Sequence, residues 1–152
     1  MRISIPSIGV RARVGRLGLN RDRSLEVPRI WANTGWWSGG PAPGQPGPAV
    51  IAGHVDSYTG PAVFSRLREL RPGDLIRVVR ADGSVVRFAV RKRQNYSKRR
   101  FPTKKVYGSR RYAALRLITC DGSFDQARRT YNRNLVVYAG RERAGERGRR
   151  RA

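Results

Sequence analysis

Apolar and polar positions alternate from the first residues of the chain. Ile3 and Ile5, then Ile8, Val10, Ala12 and Val14, are separated by Ser4, Gly9, Arg11 and Arg13. A period of two predicts a half-buried strand. Pro6 lacks a backbone donor and predicts that the strand is interrupted and lies at a sheet edge. Five Gly and four Pro between Gly35 and Pro48 predict an irregular surface loop. The apolar run Ala49 to Ala52 follows and ends in Gly53-His54. Val63, Phe64, Leu67 and Leu70 recur on one helical face, so a helix of about two turns is expected over 62–70, stopped by Pro72-Gly73. Leu75 to Val79 and Val85 to Arg91 flank Ala81-Asp82-Gly83-Ser84, and Asp-Gly between β-branched runs predicts a hairpin. Two more strands are expected, over 113–119 and 134–139. Many short strands, one short helix and no internal repeat predict an all-β chain, closed or nearly closed.

Composition narrows this picture. At 152 residues with 39% hydrophobic content, the chain suffices for one domain and one core. The net charge of +23 comes almost entirely from arginine, with 29 Arg against four Lys. Between Arg91 and Arg116 lie eleven basic residues and no acidic one. Such a stretch attracts polyanions, so nucleic acid, anionic lipid headgroups and phosphate-bearing wall polymers are all admissible partners, and charge alone does not choose among them. An Arg-rich surface that is merely solvated fits equally well. A single Cys excludes an internal disulfide framework, and one His with one Cys excludes a clustered zinc site, so neither metal nor cofactor is expected. No apolar run approaches 18 residues and no export signal is apparent, which leaves any membrane anchor to lie upstream of Met1. The segment Arg141 to Ala152 has no apolar residue larger than Ala and is expected to be a basic, disordered tail on a domain spanning 1–140.

Candidate chemistry concentrates late in the chain. The aliphatic run Leu115 to Thr119 leads to Cys120 and then Asp121-Gly122, where the strand is expected to give way to a polar loop reaching Asn132. Arg133 opens the next strand, and antiparallel pairing of the two strands would bring Cys120 and Arg133 to one edge. His54 ends another apolar strand. A lone Cys after an aliphatic run equally suits a small buried hydrophobe, His54 a structural role and any arginine a solvated one. Residue types alone leave these alternatives open.

The string Leu117-Ile118-Thr119-Cys120, with Arg133 downstream before an aliphatic strand and Ala52-Gly53-His54 far upstream, resembles the sortases, cysteine transpeptidases of the Gram-positive cell surface. The resemblance extends from about Arg2 to Gly140, because Ile3-Ser4-Ile5-Pro6 and Ile8-Gly9-Val10 resemble the opening strands of these enzymes. Gly53-His54-Val55-Asp56-Ser57 and Tyr131-Asn132-Arg133-Asn134-Leu135-Val136-Val137 are most similar to the class F group of actinobacteria. The resemblance implies a closed β-barrel of about eight strands with one or two short helices. It also implies Cys120 as nucleophile, His54 as acid and base, and Arg133 as a support for substrate or oxyanion. Arg128 and Arg129 compete for that last role but lie farther from the strand start. Backbone near Thr119 or Asp121 is expected to assist the oxyanion. The implied reaction cleaves an LPxTG-like sorting signal between Thr and Gly and passes the acyl group to a cell-wall amine. The partners are then sorting-signal-bearing surface proteins and a cell-wall precursor amine, with no specific nucleic acid. A monomer is expected at the extracellular face of the membrane, held by an N-terminal anchor absent from this chain. A basic barrel that binds nucleic acid, with Trp31, Trp36 and Trp37 as stacking platforms, is the alternative from a different class, and a hydrolase or pilus-assembly role is another.

Overall fold

The computed structural model describes residues 1–57, 59–108, 111–125 and 130–143. Its strands, in chain order, are β1 (Arg2–Ile5), β2 (Val10–Leu17), β3 (Thr34–Trp37), β4 (Gly47–Ala52), β5 (Asp56–Ser57), β6 (Gly60–Pro61), β7 (Leu75–Val79), β8 (Val85–Ser97), β9 (Ala113–Asp125) and β10 (Thr130–Arg141). One short helix, α1 (Thr103–Tyr107), lies between β8 and β9, and 3-10 turns occupy Pro6–Ile8, Leu67–Glu69 and Lys98–Arg100. Eight strands close into a barrel in the order β1-β2-β3-β4-β9-β10-β8-β7, while β5 and β6 form a separate two-stranded ribbon. The β2–β3 and β4–β9 pairs are parallel and the other barrel pairs are antiparallel.

Period-two alternation accounts for the barrel. Ile3, Ile5, Val10, Ala12 and Val14 turn inward with Ile76, Val78, Val86, Phe88, Leu115, Leu117, Leu135 and Val137 to form one core. The Asp-Gly hairpin forms as expected, with the Asp82 carboxylate accepting from the Ser84 N–H at 2.9 Å and its hydroxyl at 2.5 Å. These bonds hold the Asp82 carboxyl below the usual carboxylate range, the Ser84 hydroxyl contributing most and its N–H next.

Four expectations differ from the structure. The opening strand is interrupted at Pro6, but it is not an edge. β1 pairs with β2 on one side and β7 on the other, because closure leaves no edge. Residues 62–70 bury Phe64, Leu67 and Leu70 as foreseen, yet they form turns and a single 3-10 turn rather than an α-helix. Gly35 belongs to β3 and Gly47 and Pro48 to β4, so the Gly/Pro loop is shorter than composition suggested. The segment after Cys120 is not a loop from Asp121. β9 continues to Asp125 and β10 begins at Thr130, because Thr130 pairs with Asp125 and Tyr131 with Phe124. Polar residues can hold a ladder wherever their backbone groups find partners, which hydrophobic periodicity does not register. At the other end of β10, Arg141 accepts a hydrogen bond from the Arg91 guanidinium at 3.0 Å, and Glu142 pairs with Arg87 at 3.3 Å. Residues 144–152 of the expected tail lie outside the described residues, as do Arg128 and Arg129.

Candidate active site

Strand register defines one end of the barrel. β4 and β9 run parallel, with Ala52 opposite Ile118, and the Gly53 N–H donates to the Ile118 carbonyl at 3.1 Å. His54 stands two residues beyond Ala52, and Cys120 two residues beyond Ile118. On the other flank of β9, Cys120 pairs with Asn134 and Asp121 with Arg133. Three neighbouring strands therefore carry His54, Cys120 and Arg133 to the same end of the sheet. A register shift between Tyr131 and Arg133 falls beside them. Such irregularities re-aim a strand locally.

A groove of about 560 Å³ opens on the outer side of these strands. Ala52, Gly53, His54, Ile118, Thr119 and Asn134 contribute its sheet side, the 19–28 segment between β2 and β3 one wall, and Phe101, Thr103 and Tyr107 the other. Its volume lies in the range of ligand-binding clefts. Trp37 meets Tyr107 edge-on at 5.2 Å, and burial pushes the Tyr107 hydroxyl above its ordinary range. Thr119 is only 4% exposed, and its hydroxyl has no hydrogen-bond partner in the structure. An orphaned buried hydroxyl costs about 1–3 kcal/mol, and alternation along β9 turns this one, like Leu115 and Leu117, toward the barrel interior rather than the groove.

His54 is fixed from several directions. Its Nε2 lies 2.7 Å from the Pro28 carbonyl, which can only accept, so Nε2 carries the proton. In the neutral ring, Nδ1 is then the nitrogen left to take up a proton. Trp31 packs edge-on against the imidazole with centroids 4.4 Å apart. The His54 carbonyl accepts from the Phe64 N–H at 2.9 Å. Gly53 permits this close approach, because a Cβ there would lie 2.7 Å from the Phe64 ring and 2.9 Å from Val63. The buried face of residues 62–70 thus braces the histidine.

A family model, the sortase domain, matches residues 3–142. The chain belongs to the sortase family. Solved sortases share its fold at low identity. Sortase C-1 from Actinomyces oris superposes with a TM-score of 0.71 at 23% identity, covering 92% of this chain and 72% of that one. The lid mutant of sortase A from Corynebacterium diphtheriae gives 0.70 at 21%, covering 92% and 68%. Sortase C2 of Group B Streptococcus Pilus Island 1 gives 0.70 at 18%, covering 92% and 72%. No curated protein matches the chain in sequence at a significant level.

Within this sortase domain, His54 and Thr119 both line the groove, whereas Arg133 is exposed one residue before the groove-lining Asn134. Cys120 and Asp121 are fixed by their backbone pairing. Sequence reasoning missed Asn134, the Pro28 carbonyl and the aromatic wall. Asn134 could have been found, since it alternates with Val136 and Tyr138 on a strand whose other positions are core. The Pro28 carbonyl carried no signal, because it is a backbone atom brought in from 26 residues away. Trp36 and Trp37, offered above as stacking platforms, are engaged in packing: Trp36 donates its indole N–H to the Pro41 carbonyl at 2.9 Å and Trp37 joins the aromatic wall.

Proposed function

We propose that this sortase cleaves an LPxTG-like sorting signal between Thr and Gly and transfers the acyl group to a cell-wall amine. Cys120 is the nucleophile, His54 the acid and base, and Arg133 the guanidinium that steadies the scissile carbonyl. The observation that carries this reading is the register of β4, β9 and β10, which supports a meeting of the three residues at one rim.

The chemistry follows from the groups. A thiolate attacks the Thr carbonyl, because a thiol is a poor nucleophile. A free Cys of pKa about 8.5 beside a His of about 6.5 holds little ion pair near neutrality unless the site stabilises it. Either the pair is strongly coupled, or a small reverse-protonated fraction carries the flux with a more basic and more reactive thiolate. The tetrahedral intermediate bears an oxyanion. Arg133 supports it through a fork that stays charged, together with a backbone N–H at Thr119 or Asp121. Collapse breaks the C–N bond, and the His54 imidazolium protonates the departing glycine amine. Neutral His54 then takes a proton from the incoming amine as the thioester is resolved.

The grouping of this chain with class F sortases rests on the Gly53 to Ser57 and Tyr131 to Val137 strings. Its position at the extracellular face of the membrane and its action on surface proteins belong to the same proposal. Incubation with a quenched LPxTG-type peptide and a small amine tests it. The expected products are a thioacyl adduct at Cys120 and the amine-transfer peptide, read by mass spectrometry. Absence of both, with thiol alkylation of Cys120 requiring denaturation, would overturn it.

A further inference from the structure

Strand order sets three cations around one aromatic ring, away from the groove. Tyr138 pairs with Arg116 of β9 on one side and Lys92 of β8 on the other, and α1 brings Lys105 to the same place. Their charged groups lie 4.6 Å, 4.9 Å and 5.4 Å from the Tyr138 ring centroid for Arg116, Lys92 and Lys105. A ring attracts cations through its two faces, but three like charges crowded around it repel one another. The Lys92 ammonium feels this repulsion. It is held below the usual lysine range by hydrogen-bonding contact with Lys105 first, then by desolvation, then by the charges of Lys105 and Arg116. Arg116 is buried at 7% exposure, whereas the two lysines are exposed, so a buried guanidinium underlies two exposed ammonium groups.

We propose that Lys92, Lys105 and Arg116 form a binding site for a phosphate or pyrophosphate group, free or carried as a lipid headgroup. A multivalent oxyanion bridging the three cations turns their mutual repulsion into charge-assisted hydrogen bonds. The buried Arg116 guanidinium, held by the Leu115 carbonyl at 3.2 Å, supplies fixed positive charge beneath the oxyanion, and the two lysine ammoniums close over its oxygens. Phosphate suits the site better than a single carboxylate, because its charge approaches −2 and its oxygens diverge tetrahedrally. From the Tyr138–Arg116 pair to the Asn134–Cys120 pair is four residues along β9 and β10, about 13 Å at strand rise. Both places can therefore be filled together, and the anion site stands or falls independently of the transpeptidase reading.

Calorimetric titration of the folded protein with sodium pyrophosphate at fixed ionic strength tests the site. Saturable binding is expected, weakened at least about tenfold in Lys92→Gln/Lys105→Gln. It should weaken less than about twofold in Arg99→Gln/Arg100→Gln, which removes equal charge from exposed positions of the same basic stretch. Lys92→Arg/Lys105→Arg should retain binding. Co-sedimentation with vesicles containing phosphatidic acid, whose headgroup is a phosphomonoester, separates the sources. Binding that pyrophosphate competes away, and that the lysine double variant loses, identifies a headgroup site. Pyrophosphate binding without vesicle binding identifies a site for free phosphate groups. Equal weakening in the two glutamine double variants, or a response that never saturates, would overturn the proposal in favour of a diffuse basic surface.

Discussion

The two faces of β9 and β10 differ in what their residues have been recruited to do. On the inner face Leu115, Leu117, Leu135, Val137 and Ala139 belong to a core of 21 buried hydrophobic residues among those described. On the outer face Val50, Val106, Ile118, Val136 and Tyr138 form a smaller cluster of five, which partly buried aromatics extend toward the groove. Inward positions meet side chains from every wall of the barrel, so they can be filled with aliphatic volume alone. Outward positions meet one loop, one short helix and solvent, and there Asn134, Arg116 and Tyr138 bring polarity and charge. Alternation along two strands thereby divides the residues, with aliphatic volume in the barrel interior and the polar and charged positions on the exterior.

The largest expected effect falls on chemistry and spares the core. Cys120→Ala should lower peptide cleavage by about 10⁴-fold or more, with a melting temperature close to that of the unsubstituted protein. Residual cleavage near the original rate would dissociate the site from Cys120. Next, Arg133→Lys keeps the charge and loses the planar fork, so turnover should fall about 10²-fold. Arg128→Lys and Arg129→Lys should cost little, and the reverse ranking would move the arginine role to one of them.

Neighbouring positions on opposite faces give the direct contrast. Leu117→Ala, inside the barrel, should lower stability by about 2–5 kcal/mol in denaturant titration, a large part of the 5–15 kcal/mol that holds a typical domain together. Ile118→Ala should cost about half as much, since Ile118 belongs to the smaller outer cluster and borders the groove. It should raise KM for peptide, which Leu117→Ala should leave unchanged in the fraction that remains folded. Equal stability losses would erase the distinction between the faces. The smallest effect is expected at the Asp82 turn, which strand direction puts at the opposite end of the barrel from the groove. A carboxyl depressed in the folded state stabilises above its unfolded pKa of about 3.9, and that contribution is lost as pH falls through the folded value. Asp82→Ala should therefore be slightly less stable at neutral pH and indistinguishable in strong acid, with cleavage unaffected.

Much of the barrel was legible because inward residues repeat every second position, as Ile3, Ile5, Val78, Val86, Leu117 and Val137 do. What escaped notice was held by backbone or by tertiary demand. The polar halves of β8 and β9 carry no apolar rhythm, yet Gln94 and Asn95 pair with Val136 and Leu135. Residues 62–70 present a helical stripe, but bracing Gly53 and His54 needs turns that bring Phe64 close rather than a rod. At the candidate site, the antiparallel approach of Cys120 and Arg133 followed from chain proximity. The approach of His54 did not, because a parallel pairing between distant strands leaves no local trace. α1, five residues among basic neighbours, is too short to show a period.

That parallel pairing also sets an order of assembly. Cys120 and Arg133 sit on a hairpin whose strands are adjacent in sequence, a contact that closes in microseconds. β4 joins β9 across more than sixty residues, Gly47 meeting Ala113, and contacts of such separation form late because the chain must first lose loop entropy. A full-length chain that has not finished folding can thus present its thiol strand unpaired with its imidazole strand. In refolding experiments, fast alkylation of Cys120 characteristic of the native protein should emerge with the slow barrel-closing phase and not with the early hairpin. A refolding sortase domain would then bring His54 beside Cys120 only when the β4–β9 seam of the barrel has zipped.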